Sequence, residues 1–393
     1  MKKLFILTVF IFSFFIFNFL AGCSYTKMAS RSETIHYPWQ QFVMGADLSY
    51  VNEIEDTGGK YYSESKAVDP FLIFSDNGCN NVRVRLWHNP TWKKDVTGGK
   101  MYSDLADAEK SIRRAKQAGM SVNLNLHYSD DWADPNKQAI PAAWEGLSLD
   151  VLKDSVYNYT LSILNYLHVK NLVPEMIQIG NENNNGMLWP VGKVEWNMPE
   201  NWNNFGDLIN SGIRAVRDFS KTSRIKPQVI IHVAQLQYAH QWTENITKLG
   251  GVNDYDILGL SHYYKWSTVH SMKDVGDTIQ LLVNKYGKKV MVVETAFPWT
   301  FENSDSYNNL FGDAKELIGY EASIPAQLEY MKNLTQTIIS AGGDGIMYWE
   351  PAWITSPMKD RWGSGSSWEN AALFDFKGNV LPAIKFMGLQ YKF

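Results

Sequence analysis

Asn81–Val82–Arg83–Val84–Arg85–Leu86–Trp87 alternates polar or aromatic residues with aliphatic ones. So does Asn123–Leu124–Asn125–Leu126–His127, inside the run Ser121–Tyr128. Successive side chains of a strand point to opposite faces, so each run has one aliphatic face and one polar face. Six more short runs read as strands: Val43–Ser49, Met176–Glu182, Gln228–Ala234, Asp256–Tyr263, Val290–Ala296 and Gly345–Glu350. Amphipathic stretches lie between them, at Asp104–Ala118, Leu149–Lys170, Asn203–Ser220, Ser271–Tyr286 and Pro325–Ala341. Asp104 and Ser271 stand where helix N-caps belong, and Gly119 and Gly342 where helices should stop. Eight strands with mostly helical connections predict an α/β fold, a single closed (β/α)8 TIM barrel. A doubly wound open sheet is the alternative, but its glycine fingerprint is missing.

In a barrel the aliphatic faces meet the helices and the polar faces fill the lumen. Arg83, Asn123 and Asn125 then need buried partners, and a structural hydrogen-bond network would supply them. Arg85, Trp87 and His127 lie nearer the strand exits and are the better ligand contacts. Loops at those exits are where barrel enzymes build their sites. Two connections are long and polar, Asn89–Ser103 and Phe297–Ile324.

The composition narrows the function. Of 393 residues, 45% are hydrophobic and 20% charged, which excludes a disordered or fibrous chain. A net charge of −4 offers no basic field for nucleic acid. Met1–Lys2–Lys3 followed by the apolar run Leu4–Phe19 reads as an export signal. It stops at Leu20–Ala21–Gly22–Cys23, which resembles a bacterial lipobox with Cys23 as the lipidated residue; a plain signal peptide or membrane anchor is the alternative. The expected organisation is a signal over 1–22, a lipidated Cys and polar tether over 23–40, and a single (β/α)8 domain over 41–393. Cys79 is then the only thiol left, so no intrachain disulfide or cysteine metal site can form. With Ser24 next to the anchor, the outer membrane of a Gram-negative bacterium is the expected location.

Three expected strands end in glutamate: Glu182, Glu294 and Glu350. A carboxylate there is costly unless it is hydrogen-bonded or used. Two facing carboxyls suit glycoside hydrolysis, one protonated to serve the leaving oxygen and one ionised to attack or to activate water. Glu182 and Glu294 sit on strands across the barrel mouth from each other. Aromatic residues crowd the same end: Trp87, Trp132, Trp144, Trp189, Trp299, Trp349, Trp353, Tyr128, Tyr263 and Tyr264. Aromatic faces pack on the CH faces of sugar rings. Asp130–Asp131–Trp132–Ala133–Asp134–Pro135 fails as an EF-hand loop because Pro135 occupies the glycine position.

From about Gly45 to Pro382 the chain resembles the endo-β-1,4-galactanases of glycoside hydrolase family 53. The resemblance rests on Gly45–Ala46–Asp47–Leu48–Ser49, Val82–Arg83–Val84–Arg85–Leu86–Trp87 and His127–Tyr128–Ser129–Asp130–Asp131–Trp132–Ala133–Asp134–Pro135. It continues through Gln178–Ile179–Gly180–Asn181–Glu182, Val293–Glu294–Thr295, Tyr348–Trp349–Glu350–Pro351–Ala352–Trp353 and Ala372–Leu373–Phe374–Asp375–Phe376. It implies a retaining hydrolase of β-1,4-galactan, the side chain of pectic type I arabinogalactan. Glu182 would be the general acid/base and Glu294 the nucleophile. Asn181 would bind the sugar 2-hydroxyl, and Arg83 or Arg85 would keep the nucleophile ionised. Asp47, Trp87, His127, Asp130, His262, Tyr264, Trp299 and Trp349 are assigned to substrate contact, and Glu350 to structure. No cofactor or metal is expected, including the calcium that some family members carry in their last loops, nor any nucleic-acid partner. A monomer touching the membrane only through its anchor is expected. A barrel hydrolase for mannan or xylan, or a glycan-binding lipoprotein without catalysis, are the competing readings.

Overall fold

A computed structural model describes residues 42–312 and 321–393. The signal segment, Cys23 and the tether lie outside the described residues. Eight parallel strands close into a barrel: β1 (Val43–Asp47), β2 (Asn81–Leu86), β3 (Ser121–Leu126), β4 (Met176–Ile179), β5 (Gln228–Ala234), β6 (Ile257–Ser261), β7 (Lys289–Thr295) and β8 (Gly345–Tyr348). Each strand pairs with its sequence neighbours, and β8 pairs with β1. Nine α-helices among the described residues surround it: α1 (Val51–Asp56), α2 (Pro70–Asp76), α3 (Lys93–Thr97), α4 (Leu105–Gln117), α5 (Leu149–His168), α6 (Asn201–Ser220), α7 (Leu236–Lys248), α8 (Met272–Tyr286) and α9 (Ile324–Ser340).

Local chemistry sets the helix ends. The Asp104 carboxylate accepts from the Asp107 backbone N–H at 2.9 Å and Ser271 Oγ from that of Asp274 at 3.0 Å. Both are N-caps, which satisfy donors the first helical turn leaves free. Gly119 and Gly342 follow their helices with φ of 81° and 80°. Ala108, Ile112 and Ala115 form the buried stripe of α4 against the barrel.

The alternation of the strands holds. Val82, Val84, Leu86, Val122, Leu124 and Leu126 are buried in the layer between strands and helices. The lower lumen holds a separate apolar cluster of Val43, Met176, Ile230, Ile257, Met291, Val293 and Met347. Gly45 makes room for it, because a Cβ there would come within 2.6 Å of the Met347 side chain.

Two features depart from the expected strands. Most strands end one to three residues early, so Glu182 and Glu350 lie on the following turns rather than in β4 and β8. Their φ angles are 45° and 44°, a left-handed backbone that non-glycine residues adopt at a cost of about 1–3 kcal/mol. Glu294 does lie in β7, but beside a bulge. Leu260 pairs with Val292 while Ser261 pairs with Glu294, so Val293 is one residue extra. Val293 belongs to the lumen cluster, and strict alternation would send Glu294 outward with Val292. The bulge turns Glu294 inward as well.

Candidate active site

The C-terminal strand ends open into a groove of about 1010 Å³. Asp47, Arg83, Arg85, His127, Asn181, Glu182, Glu294 and Trp349 line it. The structure thus brings eight of the residues picked from the sequence to one groove.

Arg83 organises the floor. It is buried and touches four partners. Nη1 reaches Asp47 Oδ2 at 2.8 Å, and Nη2 reaches both Glu294 Oε1 and Asn181 Oδ1 at 2.8 Å. Nε donates to Gln178 Oε1 at 3.2 Å. Tyr263 donates its hydroxyl to Glu294 Oε2 at 3.0 Å. Burial raises the Glu294 pKa, while the Arg83 charge and the two hydrogen bonds pull it down.

Glu182 is placed differently. Its Oε1 accepts from Ser261 Oγ at 2.6 Å. Burial, and then the nearby Glu294 carboxylate, push its pKa up to about 8, with the Ser261 bond opposing. No cation pairs with it among the described residues. The two carboxyls titrate as a pair, and the pair's proton belongs on Glu182. An oxygen of each lies within 4.8 Å of the other, and His232 falls within the same distance. Retaining glycosidases hold their carboxyls about 5–5.5 Å apart, and inverting ones need about 6.5–9.5 Å.

Arg85 does not serve Glu294. Its Nη1 pairs with Glu350 Oε1 at 2.9 Å, and its guanidinium carbon lies 4.4, 4.7 and 4.1 Å from the ring centres of Tyr50, Trp87 and Trp132. Burial, and then the Asp47 carboxylate, raise Glu350 to about 8, with Arg85 pulling the other way. His127 is buried and held neutral, its pKa driven well below 6.5 by burial and by Arg85 and Arg83. Its Nδ1 accepts from the Ala133 N–H at 3.2 Å.

Five assigned contacts do not line the groove. Trp87 is fully buried beneath Arg85 and packs edge-on against Trp132. Asp130 ties loops together, accepting from the N–H groups of Asn89 at 2.9 Å and Ala142 at 2.8 Å. His262 and Tyr264 fall on the outer face of their chain segment, where Tyr264 packs on His270 and Tyr330. Trp299 donates Nε1 to the Glu369 carbonyl at 3.1 Å and packs on Phe376. Of the other aromatics at the strand exits, Trp132, Trp353 and Tyr263 do line the groove.

Ser261 and Tyr263 were within reach of the sequence. Counting by twos from the lumen residue Ile257 leads through Gly259 to both of them, and away from His262 and Tyr264. Asp134, Asn184, Trp196, Tyr238, Trp266 and Trp362 also line the groove. All but Tyr238, which is on α7, sit on loops, where no periodicity marks a facing side.

A parallel barrel with two buried glutamates facing each other at its C-terminal mouth, only one of them paired with a cation among the described residues, defines a retaining barrel glycosidase. Glycosyl hydrolase family 53 matches residues 43–387, and the chain belongs to that family. An arabinogalactan endo-β-1,4-galactanase of Cellvibrio japonicus is 45% identical over 354 residues, covering 89% of this chain and 92% of that one. The family 53 catalytic domain of Ignisphaera aggregans superposes with a TM-score of 0.81 at 37% identity, covering 89% and 96% of the two chains. A solved fungal β-1,4-galactanase gives 0.74 at 29% identity, covering 88% and 99%.

Proposed function

We propose that this protein is an endo-acting, retaining β-1,4-galactanase. The observation that carries the chemistry is the asymmetric pair: Glu294 on Arg83 and Tyr263, Glu182 protonated on Ser261. Glu294 attacks the anomeric carbon while Glu182 gives its proton to the departing glycosidic oxygen. A covalent glycosyl–enzyme forms and the aglycone leaves as an alcohol. Glu182, now ionised, takes a proton from water, and that water displaces Glu294 with overall retention. Asn181 gives one amide hydrogen to the Ala133 carbonyl at 2.8 Å, and the second serves the sugar 2-hydroxyl. The galactan substrate follows from the names of the relatives. An open groove with exposed Tyr238, Trp266 and Trp362 on its walls suits internal cleavage of a chain.

The test is hydrolysis of β-1,4-galactan by protein lacking residues 1–23. Release of oligosaccharides with the β-configuration at the new reducing end supports the whole reading. Cleavage of mannan or xylan alone would keep the mechanism and overturn the substrate.

We further propose a lipid anchor at Cys23, a monomeric enzyme and an outer-membrane location. Leu20–Ala21–Gly22–Cys23 after an apolar run supports the anchor. Mass spectrometry of the mature N-terminus checks it, with Cys23→Ser expected to lose both the acyl mass and membrane retention.

A further inference from the structure

A chain of hydrogen bonds runs behind the acid carboxyl through His232 and Ser261. His232 on β5 and Ser261 on β6 are both fully buried. His232 Nδ1 accepts from the backbone N–H of Glu182 at 3.1 Å and from Gln178 Nε2 at 3.0 Å. The Gln178 amide cannot turn over, because its oxygen accepts from Arg83 Nε at 3.2 Å and its nitrogen donates to the Gly180 carbonyl at 3.0 Å. A backbone N–H cannot turn over either. Nδ1 therefore carries no hydrogen, and the neutral ring has its hydrogen on Nε2. Nε2 lies 2.9 Å from Ser261 Oγ and donates to it. The hydroxyl's own hydrogen then points to Glu182 Oε1, 2.6 Å away. The order of donors is set by the main chain of the residue at which it ends.

We propose that His232 and Ser261 are positioning residues that keep the transferable proton of Glu182 on Oε2. The proposal rests on Glu182 being the acid/base. Oε1 accepts from Ser261 whether the carboxyl is charged or neutral, so one oxygen both delivers the proton to the glycosidic bond and recovers it from water. The Ser261 bond favours the charged form. Removing it lets the proton occupy either oxygen and makes the acid weaker. The other charged or titratable groups facing Glu182 are Glu294 from β7, Tyr263 after β6, Arg83 from β2 and Asp134 from the loop after β3. All of them remain in a Ser261 variant, so a shift reads the hydroxyl.

The experiment is kcat/KM on β-1,4-galactan against pH for the parent, Ser261→Ala, Ser261→Thr and His232→Leu. Ser261→Ala is expected to lose about tenfold at the optimum and to move the alkaline limb up by about one pH unit. Ser261→Thr restores both, and His232→Leu moves the limb the same way by less. An unmoved alkaline limb in Ser261→Ala overturns the proposal, whatever the loss of rate. A ¹³C titration of the Glu182 carboxyl gives the same reading without turnover: a higher pKa in Ser261→Ala or in His232→Leu is expected, and an unchanged one in both overturns the proposal. A parent inactive on galactan would instead overturn the proposed substrate, and the titration would still decide the hydrogen-bond chain.

Discussion

Arg83 and Arg85 stand two residues apart on one strand, point to the same side and each pair with a buried glutamate. Their fates differ. Arg83 spreads its guanidinium over Asp47, Asn181, Gln178 and Glu294, and its glutamate faces the groove. Arg85 is enclosed by Tyr50, Trp87 and Trp132, and its glutamate is sealed beneath it. The same Arg–Glu pairing thus faces the groove in one setting and is a sealed brace in the other. The difference lies in whether the carboxylate keeps an open side, not in the strength of the pairing.

The sharpest way to break this comparison is at the glutamates. Glu294→Ala should lower galactan turnover by about 10⁵-fold, as loss of a nucleophile does, while Arg83 keeps Asp47 and the thermal midpoint moves little. Reducing-sugar release and calorimetry on the same preparation would check both halves. Glu182→Gln should lose about 10³–10⁴-fold on galactan, and much less on an aryl β-galactoside whose leaving group departs without a proton. Equal losses on both substrates would remove Glu182 from the acid role.

Arg83→Lys keeps the charge but not the fork, so four contacts become one or two. About 10²-fold in kcat/KM should be lost. Glu350→Ala, by contrast, should cost about 3–5 kcal/mol of stability by leaving Arg85 buried and unpaired, with Glu350→Gln holding kcat within about tenfold of the parent. Denaturant melts and initial rates measure the two effects. A Glu350→Gln protein that is stable but inactive would erase the distinction drawn here.

The smallest expected effect is on pH and stability. Glu182 rises from an ordinary 4.5 to about 8 in the folded protein. Between those values the native state binds a proton that the unfolded chain has released, so this group's contribution declines as pH rises through the window. Glutamine does not titrate. Glu182→Gln should therefore gain thermal midpoint relative to the parent from about pH 5 to about pH 8.

Much of this was legible in the chain. Strict alternation in Asn81–Trp87 and Ser121–Tyr128 marks strands with a filled polar lumen, and the caps Asp104 and Ser271 mark helices. The two facing glutamates of the groove, Glu182 and Glu294, were legible from their place after apolar runs. What alternation conceals is where it breaks. The bulge at Val293 cannot be seen in a run of aliphatic residues, and Glu182 leaves its strand through Gly180, so neither orientation follows from counting. At β6 the count works, yet the paired Tyr263 and Tyr264 look equivalent until Ile257 is known to face inward. Asp130 and Trp299 are polar and aromatic residues near strand exits that brace loops, and residue type alone does not separate bracing from binding.

The extra residue in β7 also decides how this site can change. Exchanging Val293 for another aliphatic side chain leaves the count intact, and the carboxylate keeps facing the groove. Losing one codon there restores strict alternation and turns Glu294 toward the layer shared with the helices. Anyone grafting this site onto another barrel must therefore carry the Val293–Glu294 dipeptide together with the registers on both sides, because the carboxylate's address is written in the backbone.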